Sequence, residues 1–220
     1  MPNPTRWIGS ESGLAPYPTW STCDFDSYGA GSPDSPFWFP AETDFTVLEA
    51  DTWFFDSTKS VRAPAVLRAM YDASVGHNTN ALIGMAVPPN GTMRGTEQER
   101  ALATLGAYIT NCYTGALIVS AANRTDTTIT LSPSAPALVG RVVVQEDQTR
   151  GQLVRGFTIT ALLSDGSTAT LDSGASVGHK KIGVVRPAVA GVVSVTLNIT
   201  ASTAPPIVRF FGVYGDCDSL

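Results

Sequence analysis

The hydrophobic pattern of this chain changes period near residue 114, and that change limits what it can fold into. Upstream, Thr58 to Tyr71 places Val61, Ala65, Leu67, Ala69 and Met70 mostly on one prospective helix face. Glu97 to Cys112 repeats the pattern with Leu102, Leu105, Ala107, Tyr108 and Ile109. Between them, Ala81 to Val87 is an unbroken apolar run closed by Pro88-Pro89, which predicts a strand buried on both faces of a parallel sheet. Downstream, Gln152 to Leu163 and Val192 to Thr200 alternate apolar and polar residues. Asp165-Gly166, Ser173-Gly174 and Pro205-Pro206 supply turn chemistry between such runs. The expected fold class is therefore α/β over residues 1–113, followed by an all-β antiparallel sandwich over residues 114–220.

Composition narrows the partners. The net charge is −5, with no Lys/Arg run, so no electrostatic footprint for nucleic acid or an anionic membrane is present and neutral partners are expected. No apolar stretch approaches the roughly 20 residues of a membrane-spanning helix. Met1-Pro2-Asn3-Pro4-Thr5 lacks a hydrophobic signal region. Three cysteines, Cys23, Cys112 and Cys217, have no metal-like spacing, and with only two histidines no metal site, cofactor or Ser-His-Asp set is expected. An odd cysteine count leaves at least one thiol unpaired or paired outside the chain. A charged fraction of 15%, with abundant Gly and Pro, suits a loop- and β-rich extracellular or lumenal protein. The triplets at Asn90, Asn123 and Asn198 are consistent with a glycoprotein on the secretory route.

The chemistry concentrates in Arg6-Trp7-Ile8-Gly9-Ser10-Glu11-Ser12-Gly13-Leu14-Ala15. One carboxylate stands between two glycines, with Trp7, Leu14 and Trp20 close in sequence. Apolar company disfavours the charged form, so Glu11 is expected to have a raised pKa, as a glycosidase acid requires.

The same segment resembles the Arg-Trp-Val/Ile-Gly-Asn-Glu-x-Gly run of the α-L-fucosidases of glycoside hydrolase family 29. Further blocks follow in family order: Trp38-Phe39-Pro40-Ala41-Glu42-Thr43-Asp44, Trp53-Phe54, Ser74-Val75-Gly76-His77-Asn78 and Val87-Pro88-Pro89-Asn90. Val144 to Asp147, Gly151 to Phe157 and Ser176 to Ile182 look like the family's C-terminal β-domain. Departures are Ser10 for the usual Asn, Thr52 for Gly and His77 for Arg. The resemblance implies a retaining fucosidase in which Glu11 is the general acid/base and terminal α-L-fucosyl residues of glycans are the substrate. It also places the Asp nucleophile N-terminal to this motif, and only five residues precede Arg6. A barrel needs roughly 250 residues by itself. The expectation is thus the C-terminal part of a (β/α)8-like barrel plus its sandwich, inactive alone, from a secreted, extracellular or lysosomal protein whose missing N-terminal half is a partner. The alternative is a non-catalytic glycan- or partner-binding remnant, or one half of a split enzyme.

Each remaining candidate has an ordinary alternative. Arg6 suits a salt bridge as well as sugar hydroxyls. Trp7 and Trp20 suit packing around Glu11. Glu42 and Asp44 point to one side of an extended segment, so they cannot flank a sugar ring as a catalytic pair, and hydrogen bonding within the loop or to substrate is expected. Trp53 is the candidate to stack on the fucose methyl and apolar face, with Trp38 second. His77 reads as a packed or capping residue. Glu146, Asp147 and His179 read as ties between sandwich loops and barrel rather than a carbohydrate or calcium site. Tyr28 to Pro36 reads as a surface loop.

Overall fold

The computed structural model describes residues 4–24 and 29–218. Tyr28, where the expected surface loop begins, and Met1-Pro2-Asn3 lie outside them. The structure is mostly β with few helices. In its first part β1 (Arg6–Trp7), β2 (Ala41–Thr46) and β3 (Thr79–Gly84) form a parallel sheet in that order. Helices α1 (Pro64–Ser74) and α2 (Glu97–Thr110) pack on one of its faces, where Phe45, Leu67, Met70, Leu105 and Tyr108 make a core.

Three expectations need correction here. The first helix begins at Pro64, not Thr58. Ala63 is extended at ψ 144°, as a residue before proline prefers, and the backbone bonds Glu49 N–H to Ser60 O (3.0 Å) and Arg62 N–H to Val47 O (2.9 Å) hold the preceding segment open. Accordingly Leu67 and Met70 are buried, whereas Ala65 and Ala69 are exposed. Second, β3 is parallel but not buried on both faces. It is the last strand of its sheet, and Leu82 remains 51% exposed because no element covers that face among the described residues. Third, Ser173-Gly174 ends a strand instead of making a turn. Gly174 is required there because a Cβ would lie 1.9 Å from the Tyr17 hydroxyl.

Helix α2 is begun by a capping box. The Thr96 hydroxyl accepts the Glu99 N–H (3.1 Å), and the Glu99 carboxylate accepts the Gly95 N–H (2.5 Å). The helix runs into a π turn, Asn111–Gly115, that carries Cys112.

From Leu117 the chain is antiparallel, with β4 (Leu117–Arg124), β5 (Thr128–Leu131), β6 (Ala137–Glu146), β7 (Val154–Leu163), β8 (Thr168–Gly174), β9 (Lys181–Ser202) and β10 (Val208–Tyr214). The strand order is β4-β10-β6-β9-β7-β8, with β5 also on β9. The long β9 pairs β6 over Lys181 to Val192, then β7 over Val192 to Ser202. One strand thereby serves both layers of a sandwich, whose core runs from Ile129 and Val142 to Leu197 and Phe211.

The two parts are joined covalently and by buried polar groups. Cys112 is disulfide-bonded to Cys217, 105 residues later, while Cys23 is buried outside that bond. Beside the disulfide, the buried Arg141 guanidinium lies 3.5 Å from Asp72 of α1 and 2.6 Å from Asp218. The Asn78 amide donates to Thr19 O (3.0 Å) and Ser21 Oγ (3.1 Å) and accepts the His179 N–H (2.6 Å).

Candidate active site

Parallel pairing places Trp7 beside Glu42, Glu42 beside Asn80, Asp44 beside Leu82, and Thr46 beside Gly84. In a parallel sheet such partners share a face, here the one opposite the helices. Glu42 and Asp44 sit half-buried in strand β2, not in a loop. Asp44 accepts a hydrogen bond from the Trp7 indole at 2.6 Å.

Glu11 lies in the loop after β1. Gly9 (φ 85°) and Gly13 (φ 70°) give that loop the left-handed turns it needs. Gly13 also has no room for a side chain, since a Cβ would sit 2.8 Å from the Phe45 ring. The loop is pinned to β2 by the Gly13 N–H to Asp44 O bond at 3.1 Å. The Trp53 indole N–H, from the loop after β2, donates to Glu11 Oε2 at 2.7 Å. The Trp53 ring lies over Gly84 at the end of β3, where an added Cβ would be 2.4 Å from a ring carbon. Glu11, Trp53 and Gly84 thus converge at the C-terminal ends of three parallel strands.

The apolar enclosure expected around Glu11 is not formed. Glu11 is exposed, Trp7 and Leu14 are 42% and 51% exposed, and Trp20 is buried elsewhere, under the Arg155 guanidinium at 4.7 Å. An indole hydrogen bond, not burial, fixes this carboxylate. Among the described residues Arg6 makes no salt bridge, and its buried guanidinium donates to the carbonyls of Gly29 and Trp20. Burial lowers its pKa. Trp38 is also apart from Glu11, since it precedes β2 and lines a recess against the sandwich.

His77 donates its Nδ1–H to the Ala15 carbonyl (3.0 Å) and packs on Tyr17 with ring centres 5.2 Å apart. Burial lowers its pKa. Glu146 is buried and accepts the backbone N–H groups of Leu153 (2.5 Å), Val154 (3.0 Å) and Gly178 (3.2 Å). Desolvation raises its pKa against the pull of those donors. The indole-to-carboxylate bond between Trp53 and Glu11 joins residues 42 apart, and neither composition nor period signals it. Chemically, one Glu11 oxygen is held and the carboxylate stays accessible, which suits proton exchange with a group in the open face.

No family model matches the chain. A curated relative, putative α-L-fucosidase 1 of Oryza sativa subsp. japonica, is 27% identical over 263 aligned positions, covering 98% of this chain and 49% of the relative. A putative α-L-fucosidase from Bacteroides thetaiotaomicron superposes with a TM-score of 0.87 at 25% identity, over 96% of this chain and 51% of that one. A Ruminococcus gnavus family 29 fucosidase solved with fucose shares the fold, with a TM-score of 0.81 at 20% identity over 96% of this chain and 50% of that one. The fold is therefore one shared with solved glycoside hydrolases. Among them, the curated relatives and solved structures that cover this chain are α-L-fucosidases, and the chain spans about half the length of the relatives it matches.

Proposed function

We propose that this chain supplies the acid/base half of a retaining α-L-fucosidase active site, as the C-terminal part of a (β/α)8-like barrel with its sandwich. The observation that carries this reading is the Glu11 carboxylate held by the Trp53 indole at 2.7 Å, at the C-terminal ends of parallel strands. Barrel enzymes keep their chemistry at that end. In this mechanism protonated Glu11 donates to the glycosidic oxygen while an Asp attacks the anomeric carbon. Glu11 then takes a proton from water as the fucosyl-enzyme is hydrolysed. The Asp is assigned to the part of the relatives' length that this chain does not span. Glu42, on the open face, is the remaining candidate for sugar hydroxyls, and Trp53 has the aromatic surface for the fucose methyl. The substrate class is terminal α-L-fucosides of glycans, in keeping with the fucose bound by the Ruminococcus gnavus enzyme.

Among the described residues the outer edges of β1 and β3 are unpaired, and these edges with the exposed Leu82 and Val87 favour completion by further strands, in cis or from a second polypeptide. Secretion is supported by the disulfide, since such bonds persist in oxidising compartments. The test is Glu11→Gln in the complete enzyme. Unactivated fucosides should lose turnover by roughly 10²–10⁴-fold, with a much smaller loss of fucosylation for an activated aryl fucoside. Equal losses for both would remove Glu11 from the acid role.

A further inference from the structure

A second recess lies at the opposite end of the parallel sheet from Glu11. Glu11 and Trp53 follow their strands, whereas Trp38 precedes β2 and Asn78 precedes β3. Against this N-terminal end the sandwich brings the segment after β6, the residues before β9 and Arg209 of β10. Trp38, Asp147, Gln148, His179 and Arg209 there line a cavity of about 580 Å³. That is within the range of small-ligand sites and has room for one or two sugar rings.

The walls of this recess are fixed while several of its polar groups are not engaged among the described residues. Buried Glu146 ties the loop before β7 to Gly178 through three backbone N–H groups, and the His179 N–H is bound by Asn78. Gln148 is steadied by its amide donating to Ser21 Oγ at 3.0 Å. Yet among the described residues no hydrogen bond or ion pair engages the Trp38 indole N–H, the His179 ring or the Arg209 guanidinium. Asp147 has its pKa lowered, chiefly by the Thr149 N–H and hydroxyl and further by the Arg209 and Arg150 charges, so it is an ionised acceptor at neutral pH. An anion would meet Asp147 and a cation would meet Arg209. A neutral ligand with alternating hydroxyl donors and acceptors and an apolar C–H face satisfies both, and Trp38 gives that face a ring to lie on.

We propose that this recess is an accessory binding site for a neutral saccharide, with Trp38 as platform and Arg209 and Asp147 as hydroxyl partners. A glycan held here is retained, not cut, because no part of the Glu11 site reaches this end of the sheet. The site is independent of the acid/base reading.

The test is NMR of the full chain, following the Trp38 indole resonance during titration with methyl β-D-galactopyranoside, methyl α-L-fucopyranoside or N-acetyllactosamine. At least one should give a saturable shift with a Kd of millimolar order. Arg209→Met and Asp147→Asn, both at the rim, should each weaken binding by about 10-fold or more, with backbone spectra reporting that the fold persists. Trp53→Ala should leave this binding unchanged. No shift with any of the three sugars overturns the proposal. So does a shift that survives both rim substitutions, one lost in Trp53→Ala, or tighter binding of N-acetylneuraminic acid than of every neutral probe.

Discussion

Gly84 decides where the Trp53 ring sits, and Trp53 in turn fixes Glu11. A Cβ at this position would be 2.4 Å from the ring, so Gly84→Ala forces the indole off the strand and breaks its 2.7 Å bond to the carboxylate. Alanine is otherwise acceptable in a strand. The expected outcome is thermal stability close to the parent, with kcat/KM of the complete enzyme reduced roughly 10–100-fold, since small misplacements of catalytic groups cost that much. Steady-state kinetics beside a melting curve checks it, and unaltered kcat/KM would separate Trp53 from Glu11 positioning. At this scale the sequence identified the residues better than their surroundings. Glu11 and Trp53 stood out by motif, but the burial expected from Trp7, Leu14 and Trp20 depended on where each ring turns. Trp20 turns toward Arg155 instead. Arg6 was likewise visible as a charged residue beside Trp7, while its use on two loop carbonyls follows from a chain return that no local pattern encodes.

Elements were legible where local chemistry decides them. The α2 helix starts at the residue the Thr96/Glu99 capping box requires, and its apolar spacing carries through Leu105 and Tyr108. Thr96→Ala removes the acceptor for the Glu99 N–H and should cost about 1 kcal/mol in urea unfolding, while Thr96→Ser should cost little. A loss equal in both variants would mean the cap does not act through this hydroxyl. The α1 boundary was misread because an apolar residue at helical spacing, Val61, serves an isolated bridge to Leu48 instead, and Pro64 then sets the true start. Strand β3 was misread in environment, not in type. Its apolar run is written for two covered faces, and one of them is open among the described residues.

Across the whole molecule, the period change near residue 114 locates the passage from parallel to antiparallel structure, but not what clamps the two parts. The clamp is the Cys112–Cys217 disulfide with Asp72, Arg141, Arg186 and Asp218 around it. Its members come from α1, the π turn, β6, β9 and the residues after β10, so only the fold brings them together. Replacing both cysteines by serine opens a loop 105 residues long and should cost about 2–4 kcal/mol, read as a lower urea midpoint. The ionic half of the clamp has a pH signature. Hydrogen bonds from the Arg186 and Arg141 guanidiniums hold Asp218 down from 3.8 to about 2. Because the folded value lies below the unfolded one, the unfolded chain binds the proton first as pH falls. The stability Asp218 contributes is therefore complete above the unfolded carboxylate range and is lost as pH falls toward about 2. Asp72 has the opposite sign: burial outweighs its Tyr113 and Arg141 partners and raises its pKa, so its contribution declines as pH rises past the ordinary carboxylate range. Comparing Asp218→Asn with the parent cancels the Asp72 slope to first order. The expected stability gap between the two is constant from neutral pH down to about 5 and closes as pH approaches 2, measured by urea unfolding at each pH. A gap that stays constant down to pH 2 would show that Asp218 acts through packing, not through its charge.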